Sequence, residues 1–356
     1  MNRSLSSQAF ASCEREFRRR AFPECTAADW ADWRWQLRRR VRTAAAVARA
    51  LPELSARERA GLAKAKAWRM PLGITPYALF LLSLEPPDGP LRRTLLPDAR
   101  EGCTARGELR DPLGEKAHEA APGLIRSYPH KALLLAAGDC ACFCRYCTRA
   151  RTAGKPPPDP ARALAWLRKT PAIRDVLVSG GDPLTLDDAR LERLLQALRR
   201  IPHVELIRIG TKATATLPQR ITPALVRMLK KFRPLWLSLH FTHPAELTPR
   251  AAAACRRLLD AGIPLVNQTV LLRGINDDFE TLRRLNEGLL QLGVKPYYLH
   301  QGDLAAGTAH LRSTVARGRA ILRQMCGTVT GYAVPLFMFD RPGGGGKVPL
   351  GPVGQG

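Results

Sequence analysis

The chain has 356 residues, 45% of them hydrophobic, enough to bury a large core and to form one catalytic domain with a smaller appendage. Its formal charge of +25 would suit nucleic acid or an anionic surface, but 45 of the 56 basic residues are Arg, spread along the whole chain among Ala, Leu and Pro, which is a bias of composition and not a binding stripe. No apolar run approaches the roughly 20 residues that span a bilayer, and residues 1–13 lack the apolar core of a secretory signal, so a cytoplasmic protein is expected, with a mitochondrial leader in the first 22 residues as the lesser alternative.

Up to about residue 124 the pattern is helical, with Pro-rich connections. Residues 29–37, with three Trp, open an amphipathic stretch, and Pro86-Pro87-Asp88-Gly89-Pro90 is a loop. The runs Arg18-Arg19-Arg20 and Arg38-Arg39-Arg40 read as solvated helix faces, so nucleic acid is unlikely as a partner.

From residue 125 onward short β-rich runs alternate with amphipathic segments. The runs are 132–137, 176–179, 204–209, 235–241, 265–272 and 294–300, and helical periodicity fills 187–200, 223–232, 248–261 and 278–292. Parallel strands need crossover helices, so this series predicts an α/β fold: a partial parallel (β/α)6 barrel over 125–340 behind a helical N-terminal region at 1–124. Chemistry in such barrels sits at the C-terminal strand ends. A last strand over 332–339 leads to a short tail, 341–356, that carries Gly343-Gly344-Gly345-Gly346-Lys347.

Four of the nine cysteines fall within eight residues, at 140, 142, 144 and 147, which favours a metal centre over disulfides. Cys140, Cys144 and Cys147, spaced Cys-x3-Cys-x2-Cys directly after the first strand, can hold three irons of a four-iron cluster and leave the fourth open. Zinc would need a fourth ligand, and Cys142 sits too tightly between two others to reach round one ion.

That spacing resembles the signature of radical S-adenosylmethionine enzymes, and the run Cys144-Arg145-Tyr146-Cys147-Thr148-Arg149-Ala150 resembles the lysine 2,3-aminomutase family in particular. The resemblance extends over roughly 30–348. It implies a [4Fe-4S] cluster on the three cysteines, S-adenosylmethionine on the open iron, and a 5′-deoxyadenosyl radical released by a one-electron reductant such as flavodoxin or ferredoxin. Ser179, Gly180, Gly181 and Asp182 match the family's glycine-rich cosubstrate segment, where glycines admit a close backbone and the Asp182 carboxylate would answer the methionyl ammonium. His240 and Gln268 match further positions near the cosubstrate.

A phosphate-loop reading of the terminal glycines fails, because Arg341 and Val348 stand where it needs Gly and Ser or Thr. The resemblance instead implies that Lys347 binds pyridoxal phosphate through its amine. The family's Arg-Tyr-Pro-x-Arg phosphate segment corresponds to Ser127-Tyr128-Pro129-His130-Lys131, so Tyr128 and Lys131 are the expected phosphate ligands; Lys lacks the bidentate fork of Arg. Arg149 matches the substrate-carboxylate arginine, and Asp303 and Asp340 match paired acids for a side-chain ammonium. The implied reaction is a 2,3-aminomutation of L-lysine to β-lysine, an isomerase activity. Alternatives are another cationic amino acid, β-lysine supply for elongation-factor modification, or a radical enzyme or binding protein directed at RNA. With Asp277-Asp278 at the family's barrel-cysteine position and no Cys after Cys326, no structural zinc is expected. A homo-oligomer remains open.

Overall fold

The computed structural model describes residues 6–65 and 70–351. Among the described residues seven α-helices build the N-terminal region: α1 (Ser7–Ala21), α2 (Ala27–Ala31), α3 (Trp33–Arg38), α4 (Ala44–Ala50), α5 (Ala56–Lys64), α6 (Pro76–Ser83) and α7 (Pro90–Leu95). The amphipathic stretch expected over 29–37 is two helices and not one, because the Asp32 carboxylate accepts from the N–H groups of Arg34 and Trp35 and starts α3 where α2 stops. Phe10, Phe17, Trp30, Trp35, Tyr77 and Phe80 form the aromatic heart of this region.

Among the remaining described residues the strands form one ten-stranded sheet in chain order. A small hairpin, β1 (Glu119–Ala121) and β2 (Leu124–Ile125), leads antiparallel into β3 (Lys131–Ala137). Then β4 (Asp175–Gly180), β5 (Leu206–Thr211), β6 (Leu235–Leu239), β7 (Leu265–Leu271), β8 (Lys295–Gln301) and β9 (Leu336–Asp340) add in parallel, and β10 (Lys347–Pro349) folds back antiparallel on β9. The crossovers are α8 (Pro160–Arg168), α9 (Asp188–Arg199), α11 (Pro223–Lys230, after the short α10, Ala213–Thr216), α12 (Pro249–Asp260), α13 (Phe279–Gln291) and α14 (Val315–Cys326). This is the six-unit partial barrel expected, open and not closed. Its helices begin where short polar side chains take up the first free N–H groups: Thr222, Thr248 and Asp278 cap α11, α12 and α13.

Burial alternates along the strands and reveals the lumen. Ala132, Leu134, Val176, Val178, Ile207 and Ile209 are buried against the helices, while Lys131, Leu133, Asp175, Leu177, Ser179, Leu206, Arg208 and Gly210 stay half-exposed on the concave face. The lumen is therefore a lined space and not a filled core. The last strand begins at Leu336 and not at 332, because Gly331–Ala333 is a single tight helical turn. The glycine run is the turn of the β9–β10 hairpin, whose register sets Lys347 opposite Asp340.

Candidate functional site

Beyond β3 the chain loops over the C-terminal edge of the sheet and returns so closely that a Cβ on Gly138 would lie 1.5 Å from the Lys155 carbonyl oxygen. Side chains from the helical region hold this loop. Arg40, buried, meets both carboxylate oxygens of Asp139 at 2.5 Å and also donates to the Cys140 carbonyl. Arg145 pairs with Glu101 and donates to the Pro71 carbonyl at 3.0 Å. Cys140, Cys144 and Cys147 are half-buried on the loop. Cys142 instead joins the N-terminal core, its sulfur 3.7 Å from the Thr75 hydroxyl.

Burial pushes the Cys140 thiol well above its ordinary range and Cys144 up to about 12, and the neighbouring cysteines add to the rise at both. Such thiols ionise together only against a cationic centre. Among the described residues no three His, Cys, Asp or Glu side chains gather tightly enough to ligate one ion. A four-iron cluster asks for something else, one thiolate on each of three separate irons, and the donor set fits that.

The glycine segment after β4 locks onto the loop. Gly181 N–H donates to the Ala137 carbonyl at 2.5 Å and Asp182 N–H to Asp139 at 2.8 Å, and a Cβ on Gly181 would lie 2.3 Å from the Asp139 oxygen. Gly180 takes φ +110°, which suits only glycine. The Asp182 side chain departs from expectation. Its carboxylate is buried and accepts from the Thr211 hydroxyl (2.8 and 2.9 Å), Lys212 N–H (2.8 Å) and Leu184 N–H (3.0 Å), so it ties β4 to β5 instead of reaching for a ligand's ammonium. Ser179 faces the lumen one step earlier, with Gly210 beside it.

Just beyond β6, His240 Nε2 lies 2.8 Å from the Tyr146 hydroxyl, which also reaches Thr242 at 3.0 Å. Burial pulls this imidazole down to about 3, so it is neutral. Gln268, on β7, meets His300 Nε2 at 3.2 Å.

Around the hairpin, Lys347 Nζ sits 2.5 Å from Asp340 Oδ2, and His300 Nδ1 is 3.6 Å from the same oxygen. Lys347 N–H donates to the Tyr128 hydroxyl at 2.9 Å, and Lys131 Nζ stands 3.9 Å over the Tyr128 ring. Asp303 follows β8. Burial first, then Asp340, pushes its carboxyl up to about 7 against the pull of Lys347, Arg149 and Arg312, and its buried Oδ1 accepts no hydrogen bond among the described residues. Arg149 Nε donates to Glu115 at 2.6 Å while its terminal nitrogens meet no acceptor among the described residues.

The structure thus gathers Tyr128, Lys131, Lys347 and Asp340 at one end of the lumen, and Cys140, Cys144, Cys147, Gly181 and His240 along the sheet's C-terminal edge. Three neighbours escape sequence reasoning. His300 is half-buried and held neutral, desolvation pulling its pKa down to about 3. Arg208 is the one charge in an otherwise apolar β5; it pairs with Asp175 at 2.8 Å and, after burial itself, is the main charge lowering the Lys131 pKa. Its position inside an apolar strand was the available signal. Glu115 carries no local signal at all.

Residues 136–285 match the model of the Radical SAM superfamily. Over 93% of its length, and 80% of the relative's, the chain is 45% identical to the L-lysine 2,3-aminomutase of Clostridium subterminale. It is 44% identical, over 94% of its length and 80% of the relative's, to that of Fusobacterium nucleatum subsp. nucleatum. A glutamate 2,3-aminomutase of Clostridioides difficile matches 92% of the chain, and 78% of its own length, at 37% identity. No helix among the described residues is long and apolar enough to cross a membrane.

Proposed function

The chain belongs to the lysine 2,3-aminomutase family of radical S-adenosylmethionine enzymes, which implies a [4Fe-4S] cluster and S-adenosylmethionine, and we propose that it interconverts L-lysine and β-lysine with pyridoxal phosphate carried on Lys347. The observation that carries the choice of substrate is the pair Asp303 and Asp340. Among the described residues the only lysine or arginine within ion-pair distance of either carboxylate is Lys347, against Asp340, and it is the very amine the cofactor would engage. Once that amine is committed, Asp340 and the unpartnered Asp303 Oδ1 call for another cation, which the lysine ε-ammonium supplies. A glutamate side chain would bring a third negative charge to the same place.

Lys131, Tyr128 and Arg208 are suited to hold the cofactor phosphate: two cations and a hydroxyl converge on the lumen face near Lys347. Cys140, Cys144 and Cys147 would hold the cluster, with the Gly180-Gly181 backbone against the cosubstrate and Asp182 fixing that backbone to β5. When bound, the two cofactors supply the hydrogen-abstracting radical and the π-system over which the migrating nitrogen's radical is spread. The protein's share is position. Arg149 offers its free terminal nitrogens to the substrate carboxylate, the two aspartates fix the opposite end, and His240 and His300, both neutral, add no proton to a site run by radical chemistry.

The test is product formation by the reconstituted enzyme, anaerobic and reduced, with L-lysine, L-arginine and L-glutamate offered separately. β-Lysine from lysine, and no product from glutamate, is expected; turnover of glutamate or inertness toward lysine would sink the reading.

A pH dependence follows. Burial and Asp340 push the Asp303 carboxyl up to about 7 while the Lys347 ammonium stands nearby; the neutral form offers no attraction to an ammonium, and the charged form appears as pH rises through the carboxyl's pKa. Lysine affinity should therefore climb by about tenfold per pH unit below that point and level off above it. In Asp303→Asn the climb should vanish and binding should stay weak at every pH. A wild-type profile flat across neutrality would rule Asp303 out as the titrating group.

A further inference from the structure

We infer that the irregular segment 111–118 is a bracket that sets both ends of the amino-acid site at once, with Glu115 as the positioning residue that aims Arg149 at the substrate carboxylate. The inference rests on the proposed roles of Arg149 and Lys347 and adds what holds them.

Glu115 is 3% exposed. Its Oε1 accepts from Arg149 Nε at 2.6 Å and its Oε2 from Arg151 at 2.7 Å, so one buried carboxylate serves two guanidiniums of the cysteine loop. Asp111 completes the set: its Oδ1 takes Arg151 at 3.0 Å and the Glu115 N–H at 3.1 Å, and its Oδ2 takes the Lys116 N–H at 3.0 Å. The detail that matters is which nitrogen of Arg149 is used. With Nε held, the guanidinium cannot rotate freely, and its two terminal nitrogens present the planar fork that a carboxylate accepts bidentately.

The other side of the segment touches the hairpin turn that leads to Lys347. Gly343 N–H donates to the Pro112 carbonyl at 3.1 Å. Gly114, at φ +62°, approaches so closely that a Cβ there would lie 2.6 Å from the Gly343 carbonyl carbon. A Cβ on Gly344 would lie 2.2 Å from the His118 ring, and that ring is itself fixed by its Nδ1, 2.9 Å from the Gly114 carbonyl. The arginine meant for the substrate carboxylate and the turn carrying the cofactor lysine are thus fastened to the same eight residues. A carboxylate and an α-amino nitrogen are only one carbon apart in an amino acid, so their two receptors must keep a fixed separation.

The experiment compares two ligands on the reconstituted holoenzyme, L-lysine and 1,5-diaminopentane, the same diamine without the carboxylate. Binding is read from the change each causes in the visible absorbance of the bound pyridoxal phosphate. Glu115→Gln, which keeps the shape and loses the charge, should weaken lysine roughly 10- to 100-fold and leave the diamine within about twofold of wild type. Glu115→Asp, which keeps the charge but shortens its reach, should show the same selectivity at smaller amplitude. An equal loss for both ligands would make Glu115 a structural residue only, and no loss for lysine would remove it from the site; either result overturns the inference. A wild-type protein whose absorbance ignores lysine altogether overturns the functional reading first, and this inference with it.

Discussion

Replacing Lys347 with alanine is expected to strip the protein of bound pyridoxal phosphate while leaving its iron–sulfur absorbance intact. Turnover should fall on the order of 10³-fold or more, because in the proposed reading the residue lost would be the covalent anchor of a cofactor and not one contact among several. The separation of the two signals follows from how the site is built. Lys347 lies on β10, held by its register with Asp340 and by the Tyr128 hydroxyl, whereas the cysteine loop is fastened by Arg40 and Arg145 to the helical region. Among the described residues no contact that holds the cysteine loop runs through the Lys347 side chain, which pairs with Asp340. Borohydride fixation of wild-type protein followed by peptide mass analysis gives the complementary test: the pyridoxyl label belongs on Lys347. Two other lysines near the lumen make the result informative. Lys131 is charged down by burial and by Arg208, and Lys212 is already spent on Glu246 (2.6 Å), the His240 carbonyl (2.9 Å) and Thr242 (3.2 Å). A label on either, or absorbance unchanged in Lys347→Ala, would mean that the anchor is misassigned.

The fold was legible wherever the physics is local and periodic. Strands β3 to β8 could be found because their helix-facing positions must be apolar, and crossover helices because their buried faces recur with helical periodicity; the caps Thr222, Thr248 and Asp278 mark where three of them begin. Where one polar side chain reverses a local trend, periodicity misleads: Asp32 breaks a stretch whose apolar pattern runs straight through it. The site was legible by a different route. Cysteine spacing carries chemistry in its residue types and stands out against any background, whereas the glycine–lysine ending reads as a plain tail until the family resemblance is added. What stayed hidden depends on distance in sequence. Asp182 is read naturally as a ligand for an ammonium until Thr211 and Lys212, 29 and 30 residues away, are seen to occupy it. Glu101, Glu108 and Glu115 look like three isolated acids in a loop, yet each meets an arginine at the rim of the site: Arg145, Arg312 and Arg149. Their partners lie 34 to 204 residues along the chain, and no window of sequence contains both members of a pair.

The cysteines allow an equally sharp experiment, because four chemically identical groups within eight residues are divided by the fold into two kinds. Cys140, Cys144 and Cys147 are half-buried on the loop, and each would ligate a different iron, so none can stand in for another. Serine at any one of these positions offers a poorer, harder ligand, and the expected result is loss of most bound iron and sulfide together with all radical-dependent turnover. Cys142 differs only in direction. It points into the core that contains Tyr77 and Phe80, against the Thr75 hydroxyl. Cys142→Ser should retain its full iron content and lose about 1 to 2 kcal/mol of stability, the cost of placing a hydroxyl where a sulfur packed, softened by whatever hydrogen bond Thr75 offers. Iron and sulfide per chain, measured beside thermal unfolding for the four variants, therefore separate ligand from core residue without reference to catalysis. Iron lost from Cys142→Ser but kept in Cys140→Ser would mean that the loop turns the other way when the cluster is built, and the assignment of the three ligands would fall.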